Sequence, residues 1–292
     1  MPLPEARYVD VGGIRTRYFE AGSGPPLVLL HGGNFGGILS ADCAANFDRN
    51  FEGLATRARV IVVDRLGQGM TGNPARLEDY TMAAVVAHVA AFIRELGLRD
   101  VFLAGHSRGG YVACRTTLDH PELIRSCILI DSGTLAPGPS GVGSIMTDVP
   151  EPRLTRTAQR WVLERYSFGH EHIDDVWLDA LTEVAATEKY RATVAALPDA
   201  PFFTHLAKHK VETLALLGGP GIGKPVLVVW GLNDPTATIE RGLDLFQLIA
   251  SRERQADMHV FNQAGHFVYR ERPTEFNALM ADWIARHAKV RP

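Results

Sequence analysis

Val101-Phe102-Leu103-Ala104-Gly105-His106-Ser107-Arg108-Gly109-Gly110-Tyr111-Val112-Ala113, "VFLAGHSRGGYVA", decides the fold. Its first four residues read as a short buried strand, and residues 110–118 read as the start of a helix. Between them a serine stands among glycines. A serine nucleophile at such a place needs a sharp, strained turn that lifts its Oγ clear of the sheet, so its near neighbours must lack bulk. G-x-S-x-G supplies this, and the N-terminus of the following helix adds partial positive charge beside a developing oxyanion. A plain strand–helix connection with an N-capping serine gives the same five letters. The rest of the chain must decide between them.

The chain has 292 residues, 46% of them hydrophobic, which is enough for one large domain or two small ones with a sizeable core. A formal net charge of -3 argues against nucleic acid or an anionic membrane as partner. The first residues carry no apolar run of the signal-peptide kind, and no stretch reaches the roughly 18 apolar residues of a membrane span. Cys43, Cys114 and Cys127 have no metal-binding spacing. Cys114 and Cys127 fall in apolar segments and read as buried thiols of a reducing, cytoplasmic compartment. No cofactor or metal is expected. A small molecule is the expected partner, and a homodimer is left open.

Outward from the serine, apolar strands alternate with helices. Residues 8–11 and 15–20 suggest a hairpin turning at Gly12-Gly13; strands are expected at 26–30, 60–63, 101–104 and 128–130, and helices at 41–56 and 81–96. Buried strands alternating with helices predict a mostly parallel sheet in an α/β fold. The pattern breaks at 133–143, rich in Gly, Pro and Ser, and residues 152–217 read as wholly helical. Strands resume at 225–230 and 258–261, with helices at 238–249 and 274–287. The expected division is a core of residues 1–132 and 222–292 with a helical cap inserted at 133–221.

A serine hydroxyl needs a base, and the base an orienting group. In open α/β sheets, working residues lie beyond the carboxyl ends of strands. Asp234 follows the strand at 225–230, and His266 follows the one at 258–261, giving the order Ser107, Asp234, His266. Asp131 also ends a strand and is a second candidate acid. His31, Asp64 and His106 are read as structural. His170 and His172 lack a further ligand set and are read as surface histidines rather than metal ligands.

With "LLHGGN", "VVDRLGQGMTGNP", "GHSRGG", "WGLND" and "QAGHF" in this order, the chain resembles the α/β-hydrolase family. The resemblance implies a mostly parallel sheet flanked by helices under a helical cap. It implies Ser107 as nucleophile, His266 as base and acid, and Asp234 holding the imidazole in its tautomer. The oxyanion hole is implied at the N–H groups of Arg108 and Gly33. Asn34, Arg108 and Phe267 are the expected substrate contacts.

The pattern is most similar to the carboxylesterase and ring-cleavage-product (C–C bond) hydrolase group. The C–C hydrolases act on vinylogous 1,5-diketones carrying a carboxylate. They usually have Asn where this chain has His106, Trp where it has Phe267, and a cap arginine, for which Arg160, Arg165 and Arg191 are available. With those departures, hydrolysis of carboxylic esters is the first expectation and C–C hydrolysis the alternative. A weakly catalytic or non-catalytic small-ligand binding protein remains as the reading of another class.

Overall fold

The computed structural model describes residues 3–138 and 145–288; of the Gly/Pro/Ser-rich stretch, residues 139–143 lie outside the described residues. Its sheet has eight strands in the order β1-β2-β4-β3-β5-β6-β7-β8. The strands are β1 (Arg7–Val11), β2 (Ile14–Ala21), β3 (Pro26–Leu30), β4 (Arg59–Val63), β5 (Val101–His106), β6 (Ile124–Ile130), β7 (Val226–Gly231) and β8 (Ala256–Phe261). β1 and β2 pair antiparallel around Gly12 and Gly13, both at positive φ. β2 is also antiparallel to β4, and every later pairing is parallel.

The central strands are mostly apolar because both faces of the sheet are covered. Val28, Leu30, Leu103, Leu129 and Val228 join the core on one face. Their neighbours Leu27, Leu29, Phe102, Ile128 and Val229 join the core on the other. The flanking helices are α1 (Asp48–Ala55), α2 (Met82–Glu95), α3 (Arg108–Asp119), α8 (Ile239–Ala250), the short α9 (Val268–Glu271) and α10 (Pro273–His287). Two expectations shift. The helix placed at 41–56 is a 3-10 turn, Ala44–Phe47, followed by α1. β6 begins four residues earlier than its apolar run, because Arg125 and Ser126 find partners: Arg125 Nε donates to the carbonyl of His287, and Ser126 Oγ to that of Pro225.

Between β6 and β7 lie α4 (Arg156–Tyr166), α5 (Asp175–Ala186), α6 (Glu188–Ala196) and α7 (Phe202–Gly218), with no strand among the described residues. Three of them start on side-chain caps: Thr155, Asp174 and Thr187 accept from the N–H groups of Ala158, Trp177 and Tyr190. Buried apolar residues of α5 and α6, among them Trp177, Leu181 and Tyr190, extend the core cluster that covers one face of the sheet.

This block is bolted to the rest. Arg270, with no exposed side-chain surface, donates to Asp48 Oδ1 (2.6 Å), to the carbonyls of Ala45 and Asn46, and to that of His172, and lies 3.9 Å over the Trp177 ring. Trp177 Nε1 donates to Asn46 Oδ1, and Tyr190 Oη to the carbonyls of Gly37 and Ser40. Sequence reading gave no role to Arg270, since one arginine in a charged run carries no sign of burial.

Candidate active site

β5 ends at His106 and α3 begins at Arg108, leaving Ser107 alone at the turn with φ 53° and ψ -119°. This left-handed backbone is strained for a residue with a Cβ and is held by its surroundings. The Ser107 N–H donates to the Ile130 carbonyl (2.8 Å), while the Ser107 carbonyl accepts from Gly110 N–H and from Ser132 Oγ (2.7 Å). The two flanking glycines are steric necessities. A Cβ on Gly105 would strike the Gly109 carbonyl, and one on Gly109 would strike the carbonyls of Leu30 and His31.

Asp234 and His266 come together across the turns that follow β7 and β8. His266 Nδ1 lies 2.6 Å from Asp234 Oδ2. Asp234 Oδ1 accepts from the N–H groups of Thr236 and Ala237 and from Thr236 Oγ, at 2.8 to 3.0 Å. A buried carboxyl group held by this many donors is fixed in place and orients the imidazole by its bond to Nδ1. Among the described residues no hydrogen bond joins Ser107 Oγ to His266; both line one cavity of about 380 Å³. Such bonds are often long before substrate tightens them.

Asp131, the other candidate acid, is fully buried at the end of β6. Its Oδ1 accepts from Gly231 N–H (2.8 Å), and its Oδ2 has no partner. Burial, and then the neighbouring Asp234, push its carboxyl well above the usual range. It supports the end of β7, and among the described residues no hydrogen bond joins it to His266.

The loop after β3 faces the elbow. Gly33 has φ +80°, and a Cβ there would lie 2.5 Å from Asp42 Oδ2. Its N–H has no acceptor among the described residues. Arg108 is the first residue of α3, where no intrahelical acceptor exists for its N–H. Two free N–H groups thus flank Ser107. Arg65 fixes the loop from behind by donating from Nη2 to the carbonyls of Gly32 and Gly33. His31 accepts from Arg65 N–H at Nε2 and donates from Nδ1 to the Gly32 carbonyl. Burial, and then the Arg65 charge, push the His31 pKa well down, which keeps it neutral and structural. Asp64 is likewise tied up, accepting from Arg17 Nε and from the N–H groups of Ala44 and Met70.

The other expected contacts divide. Asn34, Arg108 and Phe267 all line the cavity. Asn34 Oδ1 and Arg108 Nε are buried without partners. The cap arginines do not reach the cavity. Arg160 donates to Glu164 and the Ile173 carbonyl, Arg165 packs on Trp161, and Arg191 donates to the Ala186 carbonyl. Arg108 is the one guanidinium lining the cavity among the described residues. His172 departs from its expected surface position: it is buried, with Nε2 2.9 Å from Ser167 Oγ.

Three residues of the site, His106, Asp42 and Tyr166, were given no part in the chemistry by the sequence. His106, expected to pack against the sheet, donates from Nε2 to the carbonyl of His266 (2.8 Å) and accepts at Nδ1 from Tyr269 Oη (3.3 Å). Burial, and then the charge of His266, keep its pKa well below the ordinary value, so it stays neutral. Asp42, on the cavity wall, accepts from Ser40 Oγ and Asn46 Nδ2. Tyr166 closes the cavity from α4, its ring stacked on that of His266 with centroids 5.1 Å apart. Of these, only His106, adjoining the elbow serine, had a positional signal.

The chain is similar to known proteins over nearly its whole length. The chain is 27% identical over 283 residues to a 2-hydroxymuconate semialdehyde hydrolase of Pseudomonas sp. strain CF600, covering 96% of this chain and 93% of that protein. It is 26% identical over 291 residues to a 2-hydroxy-6-oxo-6-(2'-aminophenyl)hexa-2,4-dienoic acid hydrolase of Metapseudomonas resinovorans, covering 97% and 92%. Among solved structures, a 2-hydroxy-6-oxo-6-phenylhexa-2,4-dienoate hydrolase of Rhodococcus sp. strain RHA1 superposes with a TM-score of 0.77 at 19% identity, covering 96% of this chain and all of that one. That likeness establishes the fold. Residues 27–279 match the sequence profile of the alpha/beta hydrolase family. With that match spanning most of the chain and the elbow, strand order and acid–imidazole pair in place, the chain belongs to the alpha/beta hydrolase family.

Proposed function

We propose that the chain is a serine hydrolase that cleaves a carbon–carbon bond next to a ketone in an acidic, conjugated diketone, with Ser107, His266 and Asp234 as its triad. The observation that carries the triad is the 2.6 Å His266–Asp234 pair in one cavity with an elbow serine. The C–C reading, rather than the ester first expected, is supported by relatives named for such hydrolases over 92% or more of their length.

In this reading Ser107 Oγ attacks the ketone carbon while His266 Nε2 takes its proton. The N–H groups of Gly33 and Arg108 receive the oxyanion. The bond to the departing carbon then breaks. Its electron pair passes through the conjugated system toward the second carbonyl, and the proton held by His266 is returned to the leaving fragment. Water, activated by His266, releases the acyl group from Ser107. The free Arg108 guanidinium is placed to bind the substrate carboxylate, since its planar donors match that group.

Ester hydrolysis is the second reading. It is favoured by His106, whose two nitrogens are already occupied, and by the absence of a cap arginine at the cavity. Loss of the absorbance of a 2-hydroxymuconate semialdehyde-type dienol, set beside release of p-nitrophenol from short esters, separates the two. Turnover of esters alone would replace the C–C reading. Ser107→Ala should lower turnover of either substrate by on the order of 10³-fold or more, and retained turnover would remove Ser107 as nucleophile. Cys43, Cys114 and Cys127 are free and buried, which supports a reducing compartment. Among the described residues no helix is long and apolar enough to cross a membrane.

A further inference from the structure

Tyr166 is the last residue of α4, yet it is built into the loop that carries His266. Its carbonyl accepts the His266 N–H at 2.8 Å. A Cβ on Gly265 would lie 2.6 Å from the Tyr166 oxygen and 2.7 Å from Phe168 N, so only glycine permits this approach. Glu271 clasps the two segments together. Its Oε2 accepts from the N–H groups of Phe168 and Gly169, and its Oε1 from Gly265 N–H, each at 2.9 Å. These backbone contacts fix where the Tyr166 ring lies: stacked on the His266 imidazole, with centroids 5.1 Å apart and planes 28° from parallel.

The charged and titratable surroundings of His266 are defined. Asp234 holds Nδ1, neutral His106 holds the carbonyl, Glu271 holds the preceding N–H, and Arg108 shares the cavity. The Asp131 carboxyl, pushed up by burial and by the charge of Asp234, accepts from Gly231 N–H. The guanidinium of Arg108 repels a positive imidazole. The Tyr166 ring presents a π face to it, and burial pushes the phenol pKa upward, so the ring remains neutral.

A base that accepts the Ser107 proton becomes an imidazolium in each half of the reaction. A cation within about 6 Å of an aromatic centroid is attracted to the ring face, and more strongly when water is excluded. Neutral imidazole gains less, so the contact strengthens as the proton arrives, which is the condition for lowering a barrier. The geometry points to Tyr166 as a further catalytic residue, supplied by the inserted helical block, whose ring stabilises the imidazolium of His266. This rests on the triad reading above.

The test compares Tyr166→Phe, which keeps the ring, with Tyr166→Leu and Tyr166→Met, which remove it. Steady-state kinetics are read beside the second-order rate of Ser107 labelling by a small fluorophosphonate. Phe should keep kcat and labelling within about twofold. Leu and Met should lower both by about three- to thirtyfold, the range of such contacts, with KM changed by less than about twofold. Using two non-aromatic variants guards against one that folds poorly. Leu and Met variants that label and turn over at the wild-type rate would overturn the proposal. So would a loss confined to KM, or a Phe variant as impaired as Leu, which would assign the effect to the hydroxyl. Ser107→Ala keeps the failures distinct: if it still turns over, the triad reading fails, whereas an inactive Ser107→Ala beside a fully active Tyr166→Leu overturns only the role of Tyr166.

Discussion

Two aspartates stand at the ends of adjacent strands, and their environments give them opposite character. Asp234 collects a hydroxyl, two N–H groups and an imidazole. Asp131 has one N–H for Oδ1 and nothing for Oδ2. Asp234→Asn should therefore lower kcat by on the order of 10⁴-fold, the serine-protease precedent for losing the orienting anion, while Asp131→Asn keeps most activity. The reverse ranking, measured as kcat on one substrate, would move the acid to β6. Asp131 also sets a pH signature. Its folded pKa is raised, so above the unfolded value of about 3.9 the unfolded chain has released a proton that the native chain retains. Unfolding then binds fewer protons in U than in N, and the stability from this group falls as pH rises from there toward its folded pKa. Asparagine has no proton to lose. The Tm of Asp131→Asn relative to wild type should increase between pH 4 and pH 7, as followed by thermal melts; a constant difference would contradict the raised pKa.

At the scale of elements, the turn after β8 and the end of α4 behave as one piece. Glu271, on the short α9, serves three N–H groups that would otherwise be left without acceptors. Glu271→Ala should cost on the order of 1–3 kcal/mol of stability per group left buried and unpaired, reduced where water reaches them. Glu271→Gln keeps one acceptor oxygen and should lose less. Because Gly265 adjoins His266, both variants should lose kcat as well as Tm. A lower Tm with wild-type kcat would show that the clasp does not position the base. The elbow obeys the same logic with less tolerance. Gly105→Ala or Gly109→Ala sets a methyl against main-chain carbonyls that cannot move without shifting α3 or the end of β3.

For the whole molecule, the cavity draws its walls from both parts of the chain. Ser107, Arg108 and His266 supply polar lining. Val194, Leu197 and Phe203, from the helical insertion, and Ile38, from the loop after β3, supply apolar lining. An acidic head against Arg108 and an apolar tail toward Phe203 fit this polarity. Arg108→Met removes the charge but keeps the main-chain N–H. It should raise KM for a carboxylate-bearing substrate by about 10- to 150-fold, matching the roughly 1.5–3 kcal/mol of a charged hydrogen bond, and leave a neutral ester nearly unchanged. Equal effects on a matched acidic and neutral pair would make Arg108 scaffolding.

By itself the sequence determined the elbow, the strand-end positions of Asp234 and His266, the mostly parallel sheet and the helical insertion. Those features are local: glycines where a Cβ cannot fit, apolar runs where both sheet faces are covered, caps where helices begin. Asp234 rather than Asp131 was already the expected acid; tertiary structure supplied the physical reason, in the donors that surround each carboxyl group. It decided that the cap arginines turn away while Arg108 faces the cavity, and that Arg270, His106, Glu271 and Tyr166 serve the site. Their partners lie up to 225 residues away in the chain. No local pattern encodes such pairings, because burial and hydrogen-bond partners come from elements that meet only when the sheet and the inserted helices pack.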